Sequence, residues 1–409
     1  MTVTRAKERG GTTRTDLESR LLRPDVGENG HVDGAETRSR LGALRRLGEM
    51  MESGDIVVVG EPGGINTHVH TAKSFSYFAS PSDAAWQAKL AGVRVFGIND
   101  HYTIDGHAEF SAACEILDIE PLFSMEAVAT WEDAASAGAT VNDPNNPGRT
   151  YLTAKGVTRS FPAGCAGERD LARMNRALLE RNRAMTAKLA SLIESRLGLA
   201  PTITFDGVLA LTPHDRPTER HVAQAAALFL EAAYAELDER CLAASTLLET
   251  EVDATVLTDA AAFQDLIRAR TLKMGRPAYV EESTEAFIPV ERMVALCLDL
   301  GAIPTYPVLG NPVTPWEEDL DTLYDRLEAL GIHAIEVIPD RNTVERLLDI
   351  VEKAVARGFP VLSGTEHNTK SSRPLVDRFF FDERFRPHFE RGAQVVIEHQ
   401  ASRRGTESR

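Results

Sequence analysis

Three short apolar runs, each ending in residues that can bind metal and each separated from the next by a helix-length stretch, constrain this chain more than any other feature. The first is Gly64–Val69, which closes in Asn66-Thr67-His68-Val69-His70-Thr71. The second is Val93–Asn99, closing in Asp100-His101, and the third is Pro121–Ser124, followed by Met125-Glu126. Helical stretches from Pro81 to Gly92 and around Ala108–Leu117 lie between them. This alternation predicts parallel strands joined by helical crossovers. In a parallel barrel the C-terminal strand ends converge on one rim, so the three endings are expected at one place.

The endings carry the chemistry. On a strand, side chains at i and i+2 share a face, so His68 and His70 can reach one cation. Neutral imidazole is a common ligand for zinc, iron or manganese. Taken alone, an HxH pair is equally well satisfied by two half-buried, hydrogen-bonded histidines. His101 and Glu126, arriving on the next two strands, add a third nitrogen and a carboxylate. That convergence separates a metal site from two core histidines.

A fourth run, Pro360-Val361-Leu362-Ser363, leads into Gly364-Thr365-Glu366-His367-Asn368. Glu366 and His367 offer an oxygen and a nitrogen ligand, and Lys370 and Arg373 just beyond offer charge for an anionic substrate. The competing reading is an ordinary solvated loop. In Thr212–His221, Thr218 reads as an N-cap with His221 in the first helical turn. Such a loop would bring Arg216 or Arg220 to an anion and His221 to a metal; otherwise it is a surface turn before a capped helix.

Around these motifs the chain divides by composition. Residues 1–34 read as a flexible tail, and Leu41, Leu44, Leu47 and Met50 mark an amphipathic helix over Ala35–Met51 that Gly54 stops. Together 1–54 precede a first barrel segment at 55–139. Glu168–Leu197, His221–Leu248 and Ala260–Lys273 have helical periodicity, so 140–290 is expected to be a mainly helical insertion. The rhythm resumes in 291–401, with strands at Ala302–Thr305, His333–Ile338, Pro360–Ser363 and Gln394–Glu398 and helices at Glu317–Leu330 and Val344–Arg357, before a short tail at 402–409. The expected fold class is α/β, a barrel or open sheet carrying the helical insertion.

Composition bounds the partners. With 43% hydrophobic and 26% charged residues the 409-residue chain has a globular make-up. It lacks an apolar run of membrane-spanning length and an apolar leader core, and its four cysteines are scattered. A cytoplasmic location is the expectation. A net charge of −16 argues against a nucleic-acid surface but not against a small anionic substrate, because a bound cation sets the local field.

The succession of HxHT, a strand ending in Asp-His, a strand ending in Glu and a late Gly-Thr-Glu-His resembles the PHP (polymerase and histidinol phosphatase) family. Asn66–Glu126 carries the specific part of the resemblance, including Ser80-Pro81 and Gly92; Gly301–Pro307 and Gly358–Asn368 follow more loosely. The resemblance implies a distorted (β/α)7 TIM-like barrel and phosphoester hydrolysis by metal-activated water. It implies two or three divalent ions; with the departures below, the expectation for this chain is one or two of zinc, manganese or iron, with three as the family's full set. His68, His70, His101 and Glu126 would be ligands, Glu126 able to bridge two ions, and Asp100 would orient His101 or assist proton transfer. A histidine ligand after the Glu block is a family feature that His221 would supply. The chain departs from the pattern at Phe75 and Ser76, where a further ligand is usual. It departs again at Tyr306-Pro307, where the family has His-Pro, and at the adjacent Glu366-His367. Amidohydrolase-like cleavage of an amide or lactone, usually accompanied by a carbamylated lysine, is the rival chemistry, and Lys155 is the nearest candidate for that lysine. A catalytically reduced barrel acting as a binding module is the third reading. The oligomeric state stays open.

Overall fold

The computed structural model describes residues 13–23, 34–58, 60–200, 202–212, 216–367 and 374–407. Eight strands form one sheet: β1 (Gly64–Val69), β2 (Val93–His101), β3 (Glu120–Thr130), β4 (Arg149–Lys155), β5 (Ile288–Pro289), β6 (Ile303–Val308), β7 (Ile335–Val337) and β8 (Val361–Ser363). The path is β1-β2-β3-β4-β6-β7-β8, with the two-residue β5 paired to β3. All pairs on the path are parallel except those of β4, which runs antiparallel to both β3 and β6. The sheet nearly closes: the amides of Thr365 and Glu366 donate to the His68 carbonyl at 3.3 and 2.9 Å, and Val69 bridges His367. The result is a seven-stranded, distorted TIM-like barrel.

Its helices are α1 (Arg14–Leu21), α2 (Gly34–Glu52), α3 (Pro81–Leu90), α4 (His107–Leu117), α5 (Glu132–Ser136), α6 (Ala166–Leu197), α7 (Phe205–Leu209), α8 (Glu219–Ala233), α9 (Leu237–Leu248), α10 (Ala254–Thr258), α11 (Ala260–Ile267), α12 (Val290–Asp299), α13 (Leu320–Ala329), α14 (Val344–Ala356) and α15 (Arg386–Glu407). Local chemistry explains several. Ser80 accepts from the Asp83 amide and Pro81 sits at the first position of α3, where its missing N–H costs nothing. Leu347, Ile350, Val351 and Ala354 bury one stripe of α14 against the barrel. β1 is buried throughout, as a strand covered on both sides must be.

The helices α6 to α11 pack a second core of Met185, Leu189, Ile193, Val222, Leu230, Leu247, Phe263 and Ile267, separate from the barrel core. This is the helical insertion. Its start differs from the expectation: β4 lies inside 140–290 but belongs to the barrel, so the helical part begins at Ala166. β4 escapes a helix-seeking reading because Thr150, Thr153 and Lys155 are polar and yet fully buried in the sheet.

Three other expectations are corrected. Gln394–Glu398 is not a strand but part of α15; its Val-Val-Ile run has strand propensity, yet Val396 packs into the core as one face of a helix. The stretch 1–34 is not all tail: α1, closed by a Thr13–Asp16 capping box, buries Leu17 and Leu21. His221–Leu248 is two helices, interrupted where Tyr234 takes an extended backbone. No helix among the described residues is long and apolar enough to cross a membrane.

Candidate metal centre

His68 lies one residue from the end of β1 and His70 one residue beyond it, with Val69 between them turned into the core. The two Nε2 atoms face each other at 3.2 Å. Glu126, in β3, brings Oε2 to 3.9 Å from His68 Nε2 and 3.7 Å from His70 Nε2. His101, at the end of β2 and in register with Glu126, places Nδ1 at 3.3 Å from the same oxygen. Its ring stacks on His70 with centroids 4.4 Å apart.

These donors fit a cation. Metal–ligand bonds of about 2.0–2.2 Å in a tetrahedron put ligand atoms roughly 3.3–3.6 Å apart, close to the separations of His68, His70 and Glu126. Among the described residues they are the one group of three whose ligand atoms all lie within 4.8 Å of one another. Among the described residues, the buried Nδ1 of His70 has no hydrogen-bond partner.

Electrostatics point the same way. Burial pushes the Glu126 carboxyl up to about 7; the His68 charge opposes this, while Glu366 and Glu336 add to it. Burial, then the His101 and His68 charges, push His70 well below the usual histidine range. Burial, His68 and Arg220 lower His101 to about 4. For His68 burial works downward, but Glu336 and Glu126 outweigh it and raise the ring. A buried carboxylate beside two neutral imidazoles lacks positive charge, which a divalent cation supplies.

Behind His68 stands a residue to which the sequence reading gives no role. Glu336, in β7, sets Oε2 at 2.8 Å from His68 Nδ1, and Lys155 Nζ meets its Oε1 at 2.6 Å. A single carboxylate inside the apolar run Ala334-Ile335-Glu336-Val337-Ile338 was the available signal.

The remaining candidates divide. Glu366 lies beside His68, in a left-handed backbone conformation, and pairs with Arg341. His367 adjoins β1, but its Nδ1 is 2.7 Å from Thr365 Oγ1. Asp100 faces away from His101, as neighbouring residues of a strand do: it accepts from the Thr71 amide and hydroxyl and from the Ser74 hydroxyl, each at 2.7 Å. It therefore anchors the loop after His70 instead of orienting His101. His221 turns Nδ1 back to its own cap, 3.0 Å from the Thr218 amide, with its ring edge-on to Phe75, so its first-turn position serves the helix. Arg220 bonds Asp265 at 3.1 Å and lies over Phe75, near enough to depress His70 and His101. Arg216 is tied to Thr103 and Asp105. Tyr306 gives its hydroxyl to Glu317 at 2.9 Å, so the phenol does not stand in as a ligand. Lys370 and Arg373, like His214, lie outside the described residues.

Two cavities meet at Tyr151. One, of about 380 Å³, is lined by His68, Glu126, Glu366, Asn142 and Asn311, with Arg341 its cationic side chain among the described residues. The other, of about 480 Å³, lies between His101, Tyr102 and α6, with Arg176, Arg181 and Arg216 on its wall. Arg341 closes the short helical turn Pro339–Arg341 that comes after β7.

No family model and no curated protein matches this sequence. Solved structures share the fold. An amidohydrolase from Chromobacterium violaceum, whose structure holds sulfate and no metal, superposes with a TM-score of 0.51 at 17% identity over 80% of this chain and 97% of its own. A Bifidobacterium adolescentis protein assigned as a metal-dependent phosphoesterase gives 0.52 at 20% identity, over 81% of this chain and 98% of its own.

Proposed function

We propose that this chain is a cytoplasmic metal-dependent hydrolase that cleaves a phosphoester of a small anionic metabolite. The observation that carries the reading is the meeting of His68 Nε2, His70 Nε2 and Glu126 Oε2 within 3.2–3.9 Å at the mouth of a cavity whose wall holds Arg341. A divalent ion held there, zinc, manganese or iron, supplies Lewis acidity and lowers the pKa of a water toward about 7 in zinc sites. His68, His70 and Glu126 would hold it, and His101, 3.3 Å from Glu126, would be a fourth donor. Arg341 binds the phosphoryl oxygens, exchanging its pairing with Glu366 for the substrate. Asn142 and Asn311 offer neutral donors on the same wall.

Lys155 favours this bond over an amide or lactone. Its ammonium is sealed between Glu336 and the Thr67 carbonyl, 2.9 Å away, and is not turned toward the histidines as an amidohydrolase-type lysine ligand would be. The test is elemental analysis of the purified protein, followed by turnover of phosphomonoesters against amides and lactones. Bound metal with phosphomonoester turnover, both lost in His68→Ala, is the expected result. Metal with amide or lactone turnover alone overturns the phosphoester assignment, and no metal after reconstitution overturns the enzyme.

A further inference from the structure

We infer that Lys155 and Glu336 are positioning residues of the metal centre, a buried ion pair that fixes which nitrogen of His68 is presented to the cation. The inference rests on the metal-centre reading above and adds two residues to it.

The geometry is a chain of three links. Glu336 Oε2 lies 2.8 Å from His68 Nδ1. A carboxylate only accepts, so Nδ1 carries the proton and Nε2, the atom facing His70 and Glu126, keeps its lone pair. The other oxygen, Oε1, receives Lys155 Nζ at 2.6 Å and the Thr67 hydroxyl at 3.1 Å. Lys155 in turn donates to the Thr67 carbonyl at 2.9 Å. Each carboxylate oxygen is thus assigned: one to the ligand, the other to the anchor. All three side chains are almost wholly buried, so no water competes for these bonds.

The topology shows why the anchor comes from β4. Running antiparallel, that strand ends with Lys155 level with Ser124, two residues below Glu126 along β3. From there the long, buried lysine side chain reaches Glu336 on β7, with β6 between the two strands. A parallel strand in this place would end at the rim and send its last residue into the cavity. Partners of this kind orient ligating imidazoles, and their loss typically weakens metal binding by about 10–100-fold.

The test measures cobalt(II) binding to the full chain, by competition with a chelator and by visible absorption, in Glu336→Gln, Lys155→Met and Lys155→Arg. The glutamine offers either an oxygen or an amide N–H to Nδ1 and so no longer fixes the tautomer. We expect about 10–100-fold weaker binding in Glu336→Gln and about tenfold in Lys155→Met, each with a shifted cobalt band. Lys155→Arg should recover most of the wild-type band. Because Lys155→Met leaves a buried carboxylate without its partner, the double variant Lys155→Met/Glu336→Gln replaces it if the single variant does not fold. Folded variants that bind cobalt with wild-type affinity and an unchanged band overturn the inference alone, and a lowered melting temperature with unchanged binding does the same. A wild-type protein that binds no cobalt overturns it together with the metal centre.

Discussion

The rings of His70 and His101 stack at a centroid separation of 4.4 Å with their planes 25° apart, although they arrive on different strands. Burial lowers His101 to about 4 and holds His70 well below the usual histidine range, which favours the neutral rings that can bind a metal. Replacing His70 by Ala removes one of the three proposed ligands, whereas His101→Ala removes a donor 3.3 Å from Glu126 that lies outside that group of three. His70→Ala should weaken metal binding by more than the roughly 10–100-fold that outer partners carry, and His101→Ala by less than His70→Ala. Metal stoichiometry after dialysis against a graded chelator ranks the two, and the reverse order would refute this assignment.

Gly364 lies against His68 so closely that a Cβ on it would stand 2.2 Å from the His68 Cβ and 2.9 Å from its backbone nitrogen. Neither neighbour is the free end of a side chain. Gly364→Ala should therefore displace β1 or the loop, destabilise the protein by about 1–3 kcal/mol and lower metal occupancy. Urea unfolding with metal analysis would show both effects, and a variant with wild-type values would mean that the loop can give way.

Asp100 takes three hydrogen bonds from Thr71 and Ser74 with its carboxylate fully enclosed. Asp100→Asn puts an amide where acceptors are required, at a cost of about 1–3 kcal/mol for the buried donors left unmet. The loop after His70 loosens as a result. Amide exchange at Thr71 and Ser74 should accelerate, and unchanged exchange there would rule out the anchoring role.

Glu317 accepts from the Tyr306 hydroxyl and from the amides of Leu309 and Gly310, yet burial raises it to about 7, against an ordinary value of 4.5. A raised folded-state value means that this group's contribution is complete below pH 4.5, declines as pH climbs and is lost above about 7. Across that window it amounts to about 3 kcal/mol. Urea unfolding of the wild type minus Glu317→Gln, at pH 4 and pH 8, should show the wild type losing ground by that order. Parallel curves for the two proteins would contradict it.

Among the described residues, Arg341 is the cationic side chain on the wall of the cavity that His68 and Glu126 share. Arg341→Met should raise KM, and the inhibition constant for inorganic phosphate, by about tenfold or more while kcat changes less. An unchanged phosphate constant would move the anion to the α6 cavity.

What was legible beforehand follows from distance along the chain. His68 and His70 could be read because two residues on one strand have a fixed relative direction, and His101 and Glu126 because successive parallel strands end on one rim. Glu336 and Arg341 could not be placed, since β7 joins the site only through closure of the barrel more than 200 residues later. The role expected for Asp100 came with the family resemblance, whereas here its carboxylate is taken up by Thr71 and Ser74. α15 was misread because β-branched residues favour strands only where a sheet edge is available, and here β1 and the loop after β8 already close it.

The reversed direction of β4 has a mechanical consequence. It returns the chain to the floor of the barrel, where the amide of Gly167 meets Asp299 at the end of α12. From that footing α6, 32 residues and about 48 Å long, climbs the outer wall, touches the rim where Asn175 bonds the Tyr102 carbonyl, and carries the insertion core above it. The helical insertion is thus a mast stepped in the hull, not a flap hung from the rim loops.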